Sequence, residues 1–166
     1  CGRCQITVGE GEFAKHGIRF LSSTVYLADQ LAPAGVLTRV KPSGDQKKDI
    51  AFGLRTAKAV AGLDLGQSVC VKDQAVLAVE AIEGTDACVR RAGDHAAGFT
   101  LAKVAKPRQD LRFDVPVVGL RTVEALVAAR GAVLAVEAGK TLFFDREEFL
   151  KRADAAGLVV LGVKDL

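Results

Sequence analysis

The sequence lacks several features that would place it in a common functional class. It has no Met and no Trp, a single Tyr (Tyr26), and only 5% aromatic residues among 166. Aromatic side chains supply the stacking surfaces of many single-strand nucleic-acid binders. The 23 basic and 20 acidic residues leave a net charge of only +3, which is small for a protein that neutralises a phosphate backbone. We therefore expect no nucleic-acid partner.

Long hydrophobic runs are also absent. No run approaches the roughly 18 residues that a membrane-spanning helix requires, and the first ten residues, CGRCQITVGE, show no signal-peptide pattern. We expect a soluble chain, and the lack of an initiator Met predicts that it is part of a larger polypeptide. The composition, 49% hydrophobic and 26% charged residues, is typical of one globular domain with a single core.

Cysteine and histidine are too few to indicate a metal centre. Cys1 and Cys4 form one CxxC, but Cys70 and Cys88 stand singly, and there is no second CxxC to complete a zinc site. We interpret Cys70 and Cys88 as small hydrophobic side chains in a reducing cytosol. The two histidines show no ligand spacing, and we interpret them as surface side chains.

Hydrophobic periodicity predicts alternating helices and strands. In the clearest helix, which Ser43 precedes, Ile50, Leu54, Ala57 and Ala61 recur at helical spacing. Towards the N-terminus we predict a helix or loop from residue 11 that leads into a strand in 18–21, then a helix in 25–32 ended by Pro33 and a hairpin of 68–71 and 75–82. The remaining predicted helices are 87–98, 122–131 and 146–157, and the remaining strands are 100–106, 116–120, 132–139, 141–145 and 158–163. This order predicts a single-domain α/β fold, a mixed sheet with helices packed on its faces.

The densest polar cluster is KVAKPRQDLRFDVP, residues 103–116, which follows a predicted strand and contains two prolines. Its cations suit a phosphate, and its carboxylates suit a metal ion or a water molecule. Lys103 and Lys106 are three residues apart, so on a strand they should point to opposite faces. The alternative is a solvated, salt-bridged surface loop.

A second polar cluster lies at the end of the predicted hairpin. Glu83, Thr85 and Asp86 are expected to converge there, whereas Glu80 should face the other way. Their oxygen atoms suit Mg²⁺ or Mn²⁺. Thr85 and Asp86 could equally cap the helix that follows, and the N-terminus of that helix suits an anion.

A third candidate is VEAGKT, residues 136–141. It is not a P-loop, because Leu134 stands where that motif requires Gly. We interpret it as a turn between two strands with Glu137 and Lys140 near a ligand, and the alternative is an ordinary hairpin turn. There is no GxGxxG to indicate a dinucleotide site.

Four longer stretches resemble the C-terminal part of the LpxI family of UDP-2,3-diacylglucosamine pyrophosphatases: LAPAGVLT, DIAFGLRTAKAVAGLDLGQSVCVKDQAVLAVEAIEGTDACVRRAG, KVAKPRQDLRFDVPVVGLRTVEAL and LAVEAGKTLFFDREEFL. The resemblance runs from Glu12 to Val163. It implies that residues 12–166 are a C-terminal catalytic domain, that residues 1–11 are a linker remnant or tail, and that an N-terminal partner domain is absent.

The resemblance also implies an activity. Family members hydrolyse UDP-2,3-diacylglucosamine to UMP and 2,3-diacylglucosamine 1-phosphate (lipid X) in lipid A biosynthesis, with Mg²⁺ or Mn²⁺, in the cytoplasm and peripheral to the inner membrane. Two questions stay open: whether the chain forms a homodimer, and whether without its partner domain it only binds a UDP-sugar or lipid phosphate.

Residue roles follow from the same resemblance. It implies catalytic roles for Asp110 and Asp86 and metal ligands at Glu83, Asp86, Asp110 and Asp114. The substrate-binding residues that it implies are Lys72, Thr85, Lys103, Lys106, Gln109, Arg112, Arg121, Thr122, Glu137 and Lys140. Arg108 and Leu120 depart from the family pattern, which usually has Gly and Pro there. Acyl chains would need an apolar surface, for which the candidates, otherwise expected in the core, are Phe113, Phe143 and Phe144.

Overall fold

The computed structural model describes residues 11–22, 24–107 and 115–164. Its helices are α1 (Gly44–Gly62), α2 (Thr85–His95), α3 (Leu120–Ala128) and α4 (Arg146–Ala155), with a 3-10 turn at Ala28–Gln30. Its strands are β1 (Gly35–Val36), β2 (Ser68–Lys72), β3 (Ala75–Val79), β4 (Thr100–Lys103), β5 (Val117–Val118), β6 (Val133–Glu137), β7 (Leu142–Phe143) and β8 (Val159–Val163).

Six of these strands form one mixed sheet in the order β1-β8-β6-β4-β2-β3. The central strands β4, β6 and β8 are parallel, whereas β2, β3 and β1 pair antiparallel with their neighbours. β5 and β7 form a separate parallel pair. The connections β4-α3-β6 and β6-α4-β8 follow the usual route between parallel strands, through a helix. The predicted α/β class with a mixed sheet is confirmed.

Helices cover both faces of the sheet, as predicted. α1 packs on one face through Ile50, Leu54, Ala57 and Ala61, which contact Val, Ala and Leu side chains of β2, β4, β6 and β8. α2, α3 and α4 pack on the other face, and the β5–β7 pair adds Val118 and Phe143 to the same core layer. We call these two faces the α1 face and the three-helix face.

The start of α1 shows how the sequence determines a boundary. Ser43 Oγ accepts a hydrogen bond from the Gln46 N–H, and Gln46 Oε1 accepts one from the Ser43 N–H. This reciprocal pair satisfies two amides that the first helical turn leaves unpaired. The predicted helix after Ser43 is confirmed.

The predicted hairpin of β2 and β3 is confirmed as well. Asp73 and Gln74 form its turn with φ values of 51° and 58°, the positive pair that suits a two-residue hairpin. Buried Asp49 of α1 accepts the N–H groups of both turn residues, at 3.1 and 2.7 Å. This carboxylate, for which the sequence predicted no role, connects the turn to α1.

Several local predictions are wrong. Residues 11–15 are helical, one of the two predicted alternatives, but residues 18–21 are exposed and form no strand. The predicted helix in 25–32 is reduced to the 3-10 turn at Ala28–Gln30, and β1 was not predicted. The predicted turn between two strands in 136–141 is confirmed, since it joins β6 to β7. Its alternative, an ordinary hairpin turn, is wrong because β7 pairs with β5.

The two internal cysteines are small core side chains, as predicted. Cys70 and Cys88 are free and fully buried in the core of the three-helix face. A hydrogen bond with Cys88, together with burial, raises the pKa of the Cys70 thiol. The CxxC of residues 1–4 lies outside the described residues.

Candidate functional site

A polar pocket opens at the carboxyl end of β4. Its volume is about 330 Å³, and its lining is made by Glu83, Gly84, Thr85, Asp86, Ala87, Arg90, Lys103, Val117, Arg121 and Thr122. Six of these were predicted as site residues: Glu83, Thr85, Asp86, Lys103, Arg121 and Thr122. The fold therefore brings together residues up to 39 positions apart in the sequence, and we call this the polar pocket.

Sheet topology explains the convergence. Ser68 at the start of β2 lies opposite Lys103 at the end of β4, and the Glu80 N–H, just beyond β3, donates to the Ser68 carbonyl. α2 begins at Thr85, soon after β3 ends at this edge. β5 and the start of α3 bring Val117, Arg121 and Thr122 to the opposite wall of the pocket.

Two helix N-termini meet at the pocket. Thr85 and Asp86 open α2, and Arg121 and Thr122 lie in the first turn of α3. The unpaired amides and the dipole of a helix N-terminus favour negative charge, and Lys103, Arg90 and Arg121 add cationic side chains. The arrangement suits an anion such as a phosphate or diphosphate.

The predicted helix caps at Thr85 and Asp86 are wrong. Gly84 is the N-cap of α2, at φ 82°, and no side chain caps this end. The positive φ favours glycine at this position. The Thr85 hydroxyl instead donates to Glu80 Oε1 at 2.8 Å and accepts from Lys103 Nζ at 2.8 Å.

Glu80 completes this network beneath the pocket. It is 7% exposed, and its second oxygen accepts the Gln67 N–H at 3.3 Å. The Ser68 hydroxyl lies 3.4 Å from the Thr85 hydroxyl. The prediction that Glu80 faces away from Thr85 is wrong, because β3 ends at Val79 and strand alternation does not extend to Glu80. A carboxylate beside a buried strand is itself a signal, because a buried charge needs partners.

The carboxylates at the rim are engaged by arginines. Glu83 accepts from Arg91 Nη2 and from the Ala81 N–H, and hydrogen bonds from its own backbone and from Arg91 lower its pKa. Arg91 also donates to the Val79 carbonyl at 2.7 Å, which fastens the edge of β3. Asp86 Oδ2 lies 3.7 Å from Arg121 Nη2.

The pocket residues can be compared with the ligands that a divalent cation requires. Within the described residues, no group of three or more His, Cys, Asp or Glu side chains is arranged to hold a metal ion. Mg²⁺ does not require such a cage, since it commonly uses one or two carboxylates plus phosphate oxygens and water. Asp86 fits that requirement, whereas both Glu83 oxygens already accept hydrogen bonds.

Glu137 and Lys140 belong to a second cluster. Lys58 of α1 donates to Glu137 Oε2 at 2.6 Å and Lys140 donates to Oε1 at 2.7 Å, while the Ala105 N–H also reaches Oε2. Burial opposes ionisation, but hydrogen bonds from Lys140, Lys58 and Ala105 outweigh it and lower the Glu137 pKa. Because Lys58 lies on α1 and Thr85 on α2, this cluster and Lys103 are on opposite faces of the sheet.

Two further lysines lie away from the polar pocket. Lys106 lies three residues beyond the end of β4, donates to Asp64 at 2.6 Å and does not line the pocket. Lys72 lies at the hairpin turn, at the far end of β2 from Ser68. It does not line the pocket.

The predicted residues of the loop after Pro107 lie outside the described residues. They are Gln109, Asp110, Arg112 and Asp114, together with Arg108 and Phe113.

The phenylalanines of β7 and its end have different environments. Phe143 is fully buried and packs edge-to-face on Phe149 with ring centroids 4.8 Å apart, so Phe143 is a core residue. Phe144 is 57% exposed and lines a separate groove of about 770 Å³ with Leu27, Gln30 and residues of α4.

A comparison with known protein families decides the affiliation of the chain. A family model described as the LpxI C-terminal domain matches residues 33–161. The chain belongs to the LpxI family. All described residues of the polar pocket, and those of the Glu137 cluster, fall within the matched range.

A curated LpxI relative extends this similarity. Over 161 residues the chain is 37% identical to a protein of Caulobacter vibrioides named UDP-2,3-diacylglucosamine pyrophosphatase LpxI. The alignment covers 92% of the chain but 58% of the relative, so the chain spans little more than half the length of that protein. Among solved structures, Acinetobacter baumannii RibD matches with a TM-score of 0.43 and 20% identity, over 68% of this chain and 34% of that one.

In the part of the chain that the structure describes, no helix is long and apolar enough to cross a membrane.

Proposed function

We propose that this chain is the catalytic domain of an LpxI-type hydrolase, and that it hydrolyses the pyrophosphate of UDP-2,3-diacylglucosamine to UMP and 2,3-diacylglucosamine 1-phosphate. One observation carries the proposal: within the family-matched range, two helix N-termini and three cationic side chains converge on one pocket. A diphosphate is the part of that substrate which such a pocket suits.

The chain's own residues supply electrostatic stabilisation. Water attack on a phosphorus transfers charge to the non-bridging and leaving oxygens, and preorganised donors at those positions are the main source of catalysis in phosphoryl transfer. Lys103, Arg90 and Arg121 carry such donors, as do the first amides of α2 and α3. These groups hold the diphosphate and oppose the charge that develops on it.

A divalent cation, Mg²⁺ or Mn²⁺, is part of this proposal. Asp86 would hold it, with Glu83, Asp110 and Asp114 as the further candidates that the family resemblance implies. When bound, the ion would polarise a phosphate oxygen and neutralise its charge. Asp110 remains the first candidate for the residue that orients the attacking water.

The proposed substrate further implies where in the cell the protein acts. A diacylated sugar phosphate resides in a membrane, so we propose that the protein acts peripherally at the cytoplasmic surface of the inner membrane. The alternative is a domain that binds a UDP-sugar or lipid phosphate and needs further polypeptide for turnover. Because the chain covers only 58% of the Caulobacter relative, the experiment has to distinguish this alternative from hydrolysis by the chain itself.

³¹P NMR separates these functions. The chain is mixed with UDP-2,3-diacylglucosamine and Mg²⁺, and spectra are recorded with and without a chelator. We expect UMP and sugar 1-phosphate signals that disappear with the chelator. Perturbed substrate signals without products would support the binding domain, and products that persist with the chelator would contradict the role of the metal.

A further inference from the structure

Beneath the polar pocket, the buried Glu80 carboxylate orients the Thr85 hydroxyl, which in turn accepts a hydrogen bond from Lys103. Thr85 has one hydroxyl proton, which it donates to Glu80 Oε1 at 2.8 Å. The lone pairs of the Thr85 hydroxyl oxygen are then available to Lys103 Nζ, which donates to that oxygen at 2.8 Å. Glu80 and Lys103 are 7% and 6% exposed, so water offers little competition for these contacts.

We infer that Glu80 is a positioning residue of the polar pocket, acting on the bound anion through Thr85 and Lys103. This inference rests on the proposed function only in taking the diphosphate as the anion. Glu80 itself does not line the pocket, so its effect on a ligand has to pass through the residues that do.

The chemistry of the network explains why a carboxylate is needed. An ionised carboxylate only accepts hydrogen bonds, so Glu80 forces the Thr85 hydroxyl to donate to it and to accept from Lys103. A neutral amide at position 80 could donate to the Thr85 oxygen and compete with Lys103. The Gln67 N–H holds the other Glu80 oxygen, at 3.3 Å, and thereby fixes the direction of the carboxylate.

Glu80 is also held in place by its backbone. Its N–H donates to the Ser68 carbonyl at 2.9 Å, and Ser68 is the residue opposite Lys103 in the sheet. A Cβ on Gly66 would lie 2.0 Å from the Glu80 carbonyl oxygen, so the absence of a side chain there permits this approach. The carboxylate, Thr85 and Lys103 are thus joined through the sheet as well as through side chains.

Positioning and direct electrostatics predict opposite signs. Glu80 is an anion near an anion-binding pocket, so removing its charge should strengthen anion binding if Coulomb interaction alone mattered. Positioning predicts weaker binding, because Lys103 loses its fixed direction. The sign of the change therefore separates positioning from direct electrostatics, and the double-mutant cycle below separates positioning from a merely structural role.

Isothermal titration of UDP, in the presence of Mg²⁺, tests the inference without requiring hydrolysis. We expect Glu80→Gln to weaken UDP binding about tenfold, the loss of roughly one charge-assisted hydrogen bond. Glu80→Asp keeps the charge but withdraws the carboxylate from Thr85, and should also weaken binding. The exposed Glu147→Gln is the matched control and should bind like the wild type. Urea unfolding checks that each variant is folded. If Glu80→Gln does not fold, Glu80→Asp alone is used to test the inference.

A double-mutant cycle with Thr85→Val then tests the route. If Glu80 acts through the Thr85 hydroxyl, Glu80→Gln has no further effect on UDP affinity in the Thr85→Val background. Additive losses, unchanged or tighter UDP binding by the Glu80 variants, or a wild-type chain that does not bind UDP would each overturn the inference. A wild-type chain that binds UDP but releases no product contradicts the proposed hydrolysis and leaves this inference intact.

Discussion

Lys103 is the residue on which the proposed diphosphate site depends most. Lysine is rarely this buried without a partner, and its contact with the Thr85 hydroxyl holds the ammonium group at the pocket floor. The sequence placed Lys103 in a polar cluster with Lys106, and alternation along the strand predicted that the two would separate. The partner at Thr85 could not be predicted, because it depends on where α2 begins relative to the sheet.

Replacing Lys103 tests its role. Lys103→Met keeps most of the side-chain volume and removes the charge, so we expect kcat/KM for UDP-2,3-diacylglucosamine to fall about 10²-fold. Lys47→Met, at an exposed position of α1, is the control and should leave kcat/KM unchanged. A loss below about threefold for Lys103→Met would remove Lys103 from the site.

Glu137 is the second buried carboxylate whose charge matters. Its pKa is lowered in the folded protein relative to the ordinary value of 4.5. A lowered folded-state pKa contributes stability that is complete above the unfolded value and is lost as the pH falls through the folded one. The ion pairs of Glu137 therefore stabilise the fold at neutral pH and less so in acid.

Glu137→Gln should reveal this pH dependence. At neutral pH we expect the free energy of unfolding to fall by about 2 kcal/mol, as for lost hydrogen bonds to a charged group. The difference from the wild type should shrink as the pH falls from 4.5 through the lowered folded-state pKa, because the carboxyl is protonated first in the unfolded and then in the folded protein. Urea unfolding from neutral pH to about pH 3 measures it. A difference that stays constant across this range would contradict the stabilising role of the Glu137 charge.

At the scale of elements, the sequence predicted what local chemistry determines. Ser43 and Gln46 specify the start of α1 by themselves, and the Asp73-Gln74 turn joins two hydrophobic strands. The elements that were not predicted are those that form only because another segment pairs with them. β1 is two residues long and pairs Gly35 with Gly162, so nothing in its own sequence distinguishes it from a loop.

Gly66 makes a testable contribution between α1 and β2. Its missing side chain allows the backbone to approach Glu80, and a Cβ would lie 2.0 Å from the Glu80 carbonyl oxygen. We expect Gly66→Ala to lower the free energy of unfolding by about 2 kcal/mol or more, the usual cost of overpacking.

Gly62 provides the matched control for that variant. It is the last residue of α1, and a Cβ added there would meet no atom within 4 Å. Gly62→Ala should therefore change stability by less than about 1 kcal/mol, towards higher stability. Thermal or urea unfolding compares the two variants. Equal effects would show that the Glu80 contact does not restrict position 66.

At the scale of the whole molecule, the fold places eight of the predicted site residues in two clusters, and Lys72 and Lys106 in neither. Lys103, Thr85, Asp86 and Arg121 meet on the three-helix face, whereas Glu137 pairs with Lys58 on the α1 face. The sequence predicted the mixed sheet and most members of both clusters. The sequence could not predict that these residues form two separate clusters, because the separation depends on which helix covers each strand end.

The same scale explains how Glu137 can matter without contacting the polar pocket. Its carboxylate accepts the Ala105 N–H, just beyond β4, and pairs with Lys58 and Lys140. It thereby joins α1, the turn after β6 and the segment that leads away from Lys103. We expect its replacement to affect stability more than UDP affinity.

The proposed function depends above all on a diphosphate bound in the polar pocket between α2 and α3. ¹H–¹⁵N NMR of the chain titrated with UDP and Mg²⁺ tests this binding most directly. We expect the largest amide shifts at the start of α2, at Thr85, Asp86 and Ala87, and at Arg121 and Thr122 of α3. Largest shifts in the groove beside Phe144, or at the Lys72 hairpin turn, would contradict it.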